Sequence, residues 1–388
     1  MRAKPLAGIR VLDLTRLLPG AMCTLHLADM GADVIKIEDP WHGDYGRSLG
    51  ARNKATSPYF LVSNRNKRGL KLDLKQALGR QAFFDLAGDV DVVIEGFRPG
   101  VVDQLGIGYE AVRALNPRIV YCSISGYGQT GPYREKAGHD INYCAYAGIS
   151  DQIGRRDGAP AVPNFQLADL AGGSLSAAMG ILAALLDAQR SGQGRYIDVS
   201  MTDCALAHSV IPLVAMATDG AVRPRGTDTL SGGLPCYGLY ATADGRYMAL
   251  GALEKKFWQR FCEEIERPDL ISRHEVSGAA AHWVQAEVAA IFGSNTQDYW
   301  TKRFADVDCC VAPVLTLTEC MNNEQLQARE MFVTGGDVPQ FAFPLKLSDF
   351  EFTIGRPPPG HGEHSKEILA EAGYSDDKLA ALEAAGVI

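Results

Sequence analysis

The sequence predicts an α/β fold: a large domain built on a parallel sheet, followed by a smaller α+β domain. Three observations predict it. Residues 9–38 read as an apolar strand, a helix and a second strand, a unit whose strands run parallel beneath the helix. The same alternation of short apolar strand and helix recurs to about residue 200. Past a stretch rich in Gly, Thr, Asp, Arg and Pro at 218–233, the pattern changes to a hairpin at 237–253, with Asp244-Gly245 as its turn, and then to helices. A chain of 388 residues also exceeds one usual domain. The boundaries that follow are a large domain at 1–200, a helix and linker at 201–233 and a small domain at 234–330.

The elements follow in order. Residues 9–14 form the first strand; Pro19-Gly20 opens a helix over 21–30, which Gly31 ends, and 33–38 form the second strand. Glu38 and Asp39 stand about 20 residues after the first turn, where a dinucleotide fold places a ribose-binding carboxylate. The turn itself, Leu17-Leu18-Pro19-Gly20-Ala21, has no G-x-G-x-x-G, so it does not support binding of NAD. Arg65, Lys67, Arg68 and Lys71 then form a basic cluster, which reads equally as an anion site or a solvated loop. A helix over 76–87 leads to a strand over 90–95, which ends in Gly96-Phe97-Arg98-Pro99-Gly100. Ligands of open α/β sheets sit beyond strand carboxyl ends, and an Arg beside an aromatic there suits a phosphate and a stacked base. Strands at 119–125 and 196–200 and a small-residue helix to about Arg190 continue the domain; 202–217 reads as an apolar helix broken by Pro212.

Composition narrows the function. With 46% hydrophobic and 22% charged residues the chain is ordinary for a globular protein, and its net charge of −8 argues against nucleic acid as a partner. Nine cysteines without a C-x-x-C pair suggest reduced thiols and a cytoplasmic setting. The start, MRAKPLAGIRVLDL, lacks the apolar core of a signal peptide, and no apolar run looks long enough to span a bilayer, so no membrane partner is expected. His361 and His364 are too few to argue for a metal.

The chemistry is placed at 125–150. A Gly-punctuated loop gathers Lys136, Gly138, His139 and Asp140 before a helix predicted over 141–149. His139 and Asp140 are titratable, and the first N–H groups of the helix are unpaired donors able to hold a developing oxyanion. The plain alternative, a capping Asp and a loop His, is the commoner one from these residues alone. Asp169 and Glu254 also begin helices, where an acid is ordinarily a cap or a complement to the helix dipole.

Several stretches then match a known family in order: LAGIRVLDL, LADMGADVIKIEDP, NRNKRGLKLDLK, DVVIEGFRPGVVDQLGIG, SGYGQTGP, the strand Gly194-Arg195-Tyr196-Ile197-Asp198-Val199 and GEHSKEILAEAGY. Nearly the whole chain resembles the class III CoA-transferase superfamily. AGHDINY, DLAGGS and GALEKKFW resemble most its alpha-methylacyl-CoA racemase branch. The resemblance implies a Rossmann-like large domain completed by 331–388, and an interlocked homodimer with an active site between the large domain of one subunit and the small domain of the other. It implies an acyl-CoA thioester substrate and no further cofactor. His139 and Asp169 would be the two bases, Glu254 would orient His139 from the partner subunit with Tyr237 nearby, and the Asp140 backbone N–H would meet the thioester oxygen. Leu72, Lys75, Gly96, Phe97, Arg98 and Lys136 would hold CoA and substrate. The implied reaction interconverts the α-carbon stereoisomers of 2-methylacyl-CoA or 2-arylpropionyl-CoA; the alternative is CoA transfer with Asp140 as nucleophile. The chain departs from the family at Asp39 and Gln104, where Arg is frequent, which leaves CoA phosphates to Lys75, Arg98 and the 65–71 cluster. It departs again at Phe165, a usual Asn, and within 236–240, which lacks the Asp usual after the Tyr.

Overall fold

Six strands form the main sheet: β1 (Arg10–Asp13), β2 (Asp33–Glu38), β3 (Lys67–Lys71), β4 (Val92–Glu95), β5 (Val120–Ser125) and β6 (Tyr196–Ser200). They lie in the order β3-β2-β1-β4-β5-β6, and every neighbouring pair is parallel, as the sequence predicts. This computed structural model describes residues 3–50, 56–335 and 338–388. β4 and β5 are buried at every position, as strands covered on both faces must be. Strand order reverses between β1 and β4, and at such a switch point the loops leaving the strands diverge and open a crevice.

The chain divides into two units. The first joins Met1–Ala147, Asn164–His208 and Gln325–Ile388; the second joins Gly148–Pro163 and Ser209–Glu324. Among the helices of the first unit are α1 (Leu17–Asp29), α2 (Ala77–Ala87), α3 (Tyr109–Leu115), α4 (Asp140–Tyr146), α5 (Ser176–Ser191) and α6 (Met201–Leu206). α1 starts two residues before Pro19, because Pro is tolerated in a first turn whose N–H groups have no helical partner. The predicted helix over 202–217 is two helices parted at 207–209; Pro212 sits in the first turn of the second, Val210–Asp219, and breaks nothing. The C-terminal helices bring Ile368, Leu369, Leu379 and Val387 into one core with Leu12, Ile35, Leu70 and Phe83.

Three of the four cations of the basic cluster are engaged inside the fold, and Lys71 stands half-buried at the end of β3. Arg65 pairs with Asp29 at 2.7 Å, and both are buried. Lys67 lies 3.4 Å from Asp13 in the core. Arg68 reaches Asp33 at 2.6 Å, Glu371 at 2.8 Å and Glu367 at 3.0 Å, which ties β3 to the helix Ser365–Glu371. Arg65 and Arg68 thereby hold the C-terminal segment on the sheet, and with Lys67 they are engaged inside the fold. A second correction concerns Ala168–Ser191, 24 residues long and apolar enough in composition to cross a bilayer. Small residues raise its apolar character, and one face of it packs on α1, β5 and β6.

In the second unit, β7 (Tyr237–Ala241) and β8 (Tyr247–Gly251) form the predicted hairpin, and β9 (Val311–Pro313) joins β8 antiparallel. Trp258, Phe261, Phe292, Trp300 and Phe304 fill its core. The segment Gly148–Pro163, placed by the sequence reading in the large domain, belongs to this unit. Arg225 fastens it: Nε donates to Asp151 O at 2.7 Å, Nη1 to Gly158 O at 3.0 Å, and Nη2 pairs with Asp151 at 2.8 Å.

Candidate active site

Past the carboxyl ends of β1, β4, β5 and β6, the first unit holds a cleft of about 650 Å³. Its walls are the loops that leave those strands, at 15–17, 96–99 and 125–127, together with Met201. Gly96, Phe97, Arg98, Lys136, His139 and Asp169 all line it.

His139 is the residue before α4 and has extended backbone, φ −134° and ψ 177°; its N–H donates to Asn142 Oδ1 at 3.1 Å. Its ring is left on the exposed side. Asp140 begins the helix, but its carboxylate turns to Asp169: Oδ1 accepts from Asp169 N at 3.0 Å, and Oδ2 accepts from the Cys144 thiol at 3.8 Å. Burial, and then the Asp140 carboxylate, push the Asp169 carboxyl up to about 7. Asp169 thus faces the cleft half-buried and poised near neutrality, while Asp140 is a support beneath it. Asp169 is among the residues that line the cleft, and Asp140, the nucleophile expected for the transferase alternative, is not.

Asp169 sits in a π-helical stretch, Ala168–Leu175, of the sort that recurs at functional sites. The glycines after it explain how it is held. A Cβ on Gly172 would stand 2.8 Å from Met201 O, and one on Gly173 3.0 Å from Pro19 Cβ. Only glycine lets this stretch lie against α6 and the start of α1, which carry the cleft's wall.

The remaining groups frame the two. Burial, and then the charge of Asp169, push Tyr59 and Tyr143 up to about 12, so both phenols stay protonated; Tyr143 donates to Gly138 O. Lys136 donates to the Tyr146 hydroxyl, with its ammonium 4.6 Å and 4.5 Å from the Tyr133 and Tyr146 ring centres. Phe97 N donates to Glu95 Oε2 at 2.7 Å, which sets the 96–98 turn at the end of β4. Tyr59 and Tyr143 escaped sequence reasoning, since an isolated Tyr carries no signal. Arg16, in the turn after β1, also lines the cleft, and a lone Arg in a turn carries no signal either.

Leu72 and Lys75 do not line this cleft. Leu72 is 1% exposed in the core, which leaves only its backbone to a ligand, and Lys75 is exposed on the loop after β3. Glu38, weighed as a ribose partner, is buried against Arg47 at 2.6 Å. Tyr237 and Glu254 belong to the second unit. Tyr237 lines a recess of about 780 Å³ there, and Glu254 stands exposed just before the helix Lys255–Glu264. His361 Nε2 meets Asp39 O at 2.9 Å and His364 Nδ1 accepts from Gly69 N at 3.1 Å, so both secure the C-terminal segment. Among the described residues no three His, Cys, Asp or Glu gather as metal ligands.

A parallel sheet with this strand order, and a cleft past its strand ends lined by His139 and Asp169, define an α/β architecture of the ligand-binding kind. Residues 6–365 match CoA-transferase family III, and the chain belongs to that family. The alpha-methylacyl-CoA racemase of Homo sapiens is 36% identical over 383 residues, 96% of this chain and 95% of that one. The succinyl-CoA:glutarate CoA-transferase of Mus musculus is 32% identical over 398 residues, 99% of this chain and 90% of that one. A CAIB/BAIF family protein from Brucella suis has the same fold, with a TM-score of 0.83 and 29% identity across 96% of this chain and 100% of its own.

Proposed function

We propose that the protein is a racemase of α-branched acyl-CoA thioesters, 2-methylacyl-CoA or 2-arylpropionyl-CoA, acting by proton transfer through an enolate. The observation that carries this reading is the pairing in one cleft of His139 with an Asp169 lifted to about 7. A proton on the carbon beside a thioester is only weakly acidic, so its removal needs a positioned base and a stabilised oxygen. One group takes the proton, and the electron pair moves onto the thioester oxygen to give a planar enolate. The other group returns a proton to the opposite face, and the charge leaves the oxygen. An imidazole can give or take a proton, and Asp169 is brought near neutrality by its surroundings, so each can act as acid or base. The N–H of Asp140, in the first turn of α4, is the donor assigned to the enolate oxygen. The two side chains balance the reaction between them, and CoA serves as the handle of the substrate.

CoA transfer is the second reading, favoured by the likeness to the Mus musculus transferase. There Asp169 would attack the thioester carbonyl, release CoA thiolate and form a mixed anhydride. That course leaves His139 without a task. Glu254 and Tyr237 enter our reading as residues that a partner subunit brings to this cleft in a homodimer. Apolar side chains left exposed along one stripe of the 168–191 helix, Leu175, Met179, Leu182 and Leu186, support an association of chains. Incubation of a single acyl-CoA enantiomer in D2O, without an acceptor acid, tests the reading: loss of the α-proton signal is expected, and an intact signal contradicts it.

A further inference from the structure

The turn that leaves β1 carries Arg16 into the cleft. The guanidinium carbon of Arg16 lies 5.2 Å from the ring centre of Tyr45 and 5.3 Å from that of Phe97, and Nη1 donates to the Tyr45 hydroxyl at 3.3 Å. Among the described residues Arg16 enters no ion pair with a carboxylate. Stacked in this way, a guanidinium is held in place while donors at its edge remain available to an anion.

The backbone on either side of Arg16 is clamped. Leu17 has φ 60°, a left-handed conformation that a residue with a branched side chain keeps only when its surroundings impose it. Asp44 Oδ1 accepts from Leu17 N at 3.2 Å, and Lys36 Nζ donates to Thr15 O at 2.9 Å. Lys36 and Asp44 pair with each other at 2.8 Å, their side chains 0% and 2% exposed. One buried ion pair therefore fastens the peptide before Arg16 and the peptide after it, and the next residue after Asp44, Tyr45, supplies the ring and hydroxyl that meet its side chain. A buried pair is weak evidence for stability, but it can select one arrangement of the chain around it.

This clamp bears on how an acidic protein binds a polyanion. Arg65, Lys67 and Arg68 are engaged inside the fold, and position 39 is an Asp whose carboxylate accepts from Trp41 N and His42 N. We propose that Arg16 is an anion-binding residue of the cleft, that Lys36 and Asp44 are the positioning residues that fix it, and that the anion is a phosphate of CoA. The inference rests on CoA use, which the racemase and transferase readings share.

Calorimetric titration of the full chain with CoA and dephospho-CoA tests it. Arg16→Met is expected to weaken CoA binding by roughly ten- to a hundredfold, the loss of one charge-assisted contact. An equal loss with dephospho-CoA assigns the pyrophosphate; a loss confined to CoA assigns the 3′-phosphate. Asp44→Asn should weaken CoA binding in the wild-type background and not further in Arg16→Met, since its effect passes through Arg16. If Asp44→Asn does not fold, Tyr45→Phe replaces it, because it removes the hydroxyl that accepts from Arg16 Nη1; the same non-additivity is expected. Unchanged CoA affinity in Arg16→Met overturns the assignment, as does a loss seen only with succinyl-CoA, which would make the anion a substrate carboxylate. Additive losses overturn the positioning role. A wild type that binds no CoA sinks the reading of the site itself, a different failure from an unaffected Arg16→Met.

Discussion

Asp169 is held where burial and a neighbouring carboxylate both oppose its charge. Lifted from 3.8 to about 7, it keeps its proton in the fold after the unfolded chain has lost it. Its stabilising contribution is complete below 3.8 and is lost as pH rises through about 7. Asp169→Asn is therefore expected to raise the melting temperature relative to wild type at pH 8 and not at pH 4, measured by calorimetry; an equal gain at both would separate stability from this charge. Racemisation needs one proton shared between His139 and Asp169: with two there is no base, with none there is no acid. A bell-shaped kcat/KM is expected with its maximum near neutrality, the same for both enantiomers, and its two limbs belong to the pair. A profile that rises and stays flat above about pH 7 instead marks an ionised nucleophile and the transferase. His139→Ala should abolish racemisation yet leave slow α-proton exchange from one enantiomer, and Asp169→Ala should leave it from the other, each down by ~10²–10⁴-fold. Exchange lost for both enantiomers in either variant contradicts a two-base mechanism. The sequence displayed His139, Asp140 and Asp169 as titratable groups at helix starts, and the resemblance gave them roles. It did not display which carboxylate lines the cleft, because that depends on the Asp169 N–H bond to Asp140 across 29 residues. Charge alone likewise could not tell that Arg65, Lys67 and Arg68 have partners on distant elements.

The strands were the most legible elements. Residues 33–38 and 196–200 have the predicted bounds, since short apolar runs between turn residues have few other solutions in a buried sheet. Helix ends were less so. The helix expected over 141–149 is α4 and then a separate turn, Ile149–Gln152, divided where Gly148 takes φ 72°. The three residues of β9 carry too little pattern to be read at all. The π-helical stretch that holds Asp169 was read simply as a helix start, because its spacing depends on how closely it meets α6. That contact gives a prediction. Gly172→Ala places a methyl against Met201 O, 2.8 Å away, with no flexible neighbour to yield. It is expected to destabilise the fold by about 1–3 kcal/mol and to lower kcat by displacing Asp169. Denaturant unfolding and steady-state kinetics check the two halves, and a variant with wild-type stability and kcat would show that the close approach is not required.

For the whole molecule, the two ends of the chain meet in one core through Leu12 and Leu369, while Tyr237 and Glu254 lie in a unit of their own. Hydrophobic patterning made the α/β class legible; the return of the C-terminus was known only through the resemblance, since its anchors join residues far apart in the chain, such as Arg68 with Glu367 and Glu371. If a homodimer brings Glu254 of one chain to His139 of the other, co-refolding inactive His139→Ala and Glu254→Ala chains should restore part of the activity, one complete site per mixed dimer. No recovery, together with an active monomer in sedimentation equilibrium, argues against a shared site. In the proposed reaction this chain moves a proton at the α-carbon and does not move CoA. The most direct test is proton NMR of the wild-type enzyme with one enantiomer of 2-methylacyl-CoA in D2O, with no free acid present. We expect the α-proton signal to disappear while the opposite enantiomer forms. An α-proton that stays in place, while added carboxylic acid acquires CoA, would contradict the account.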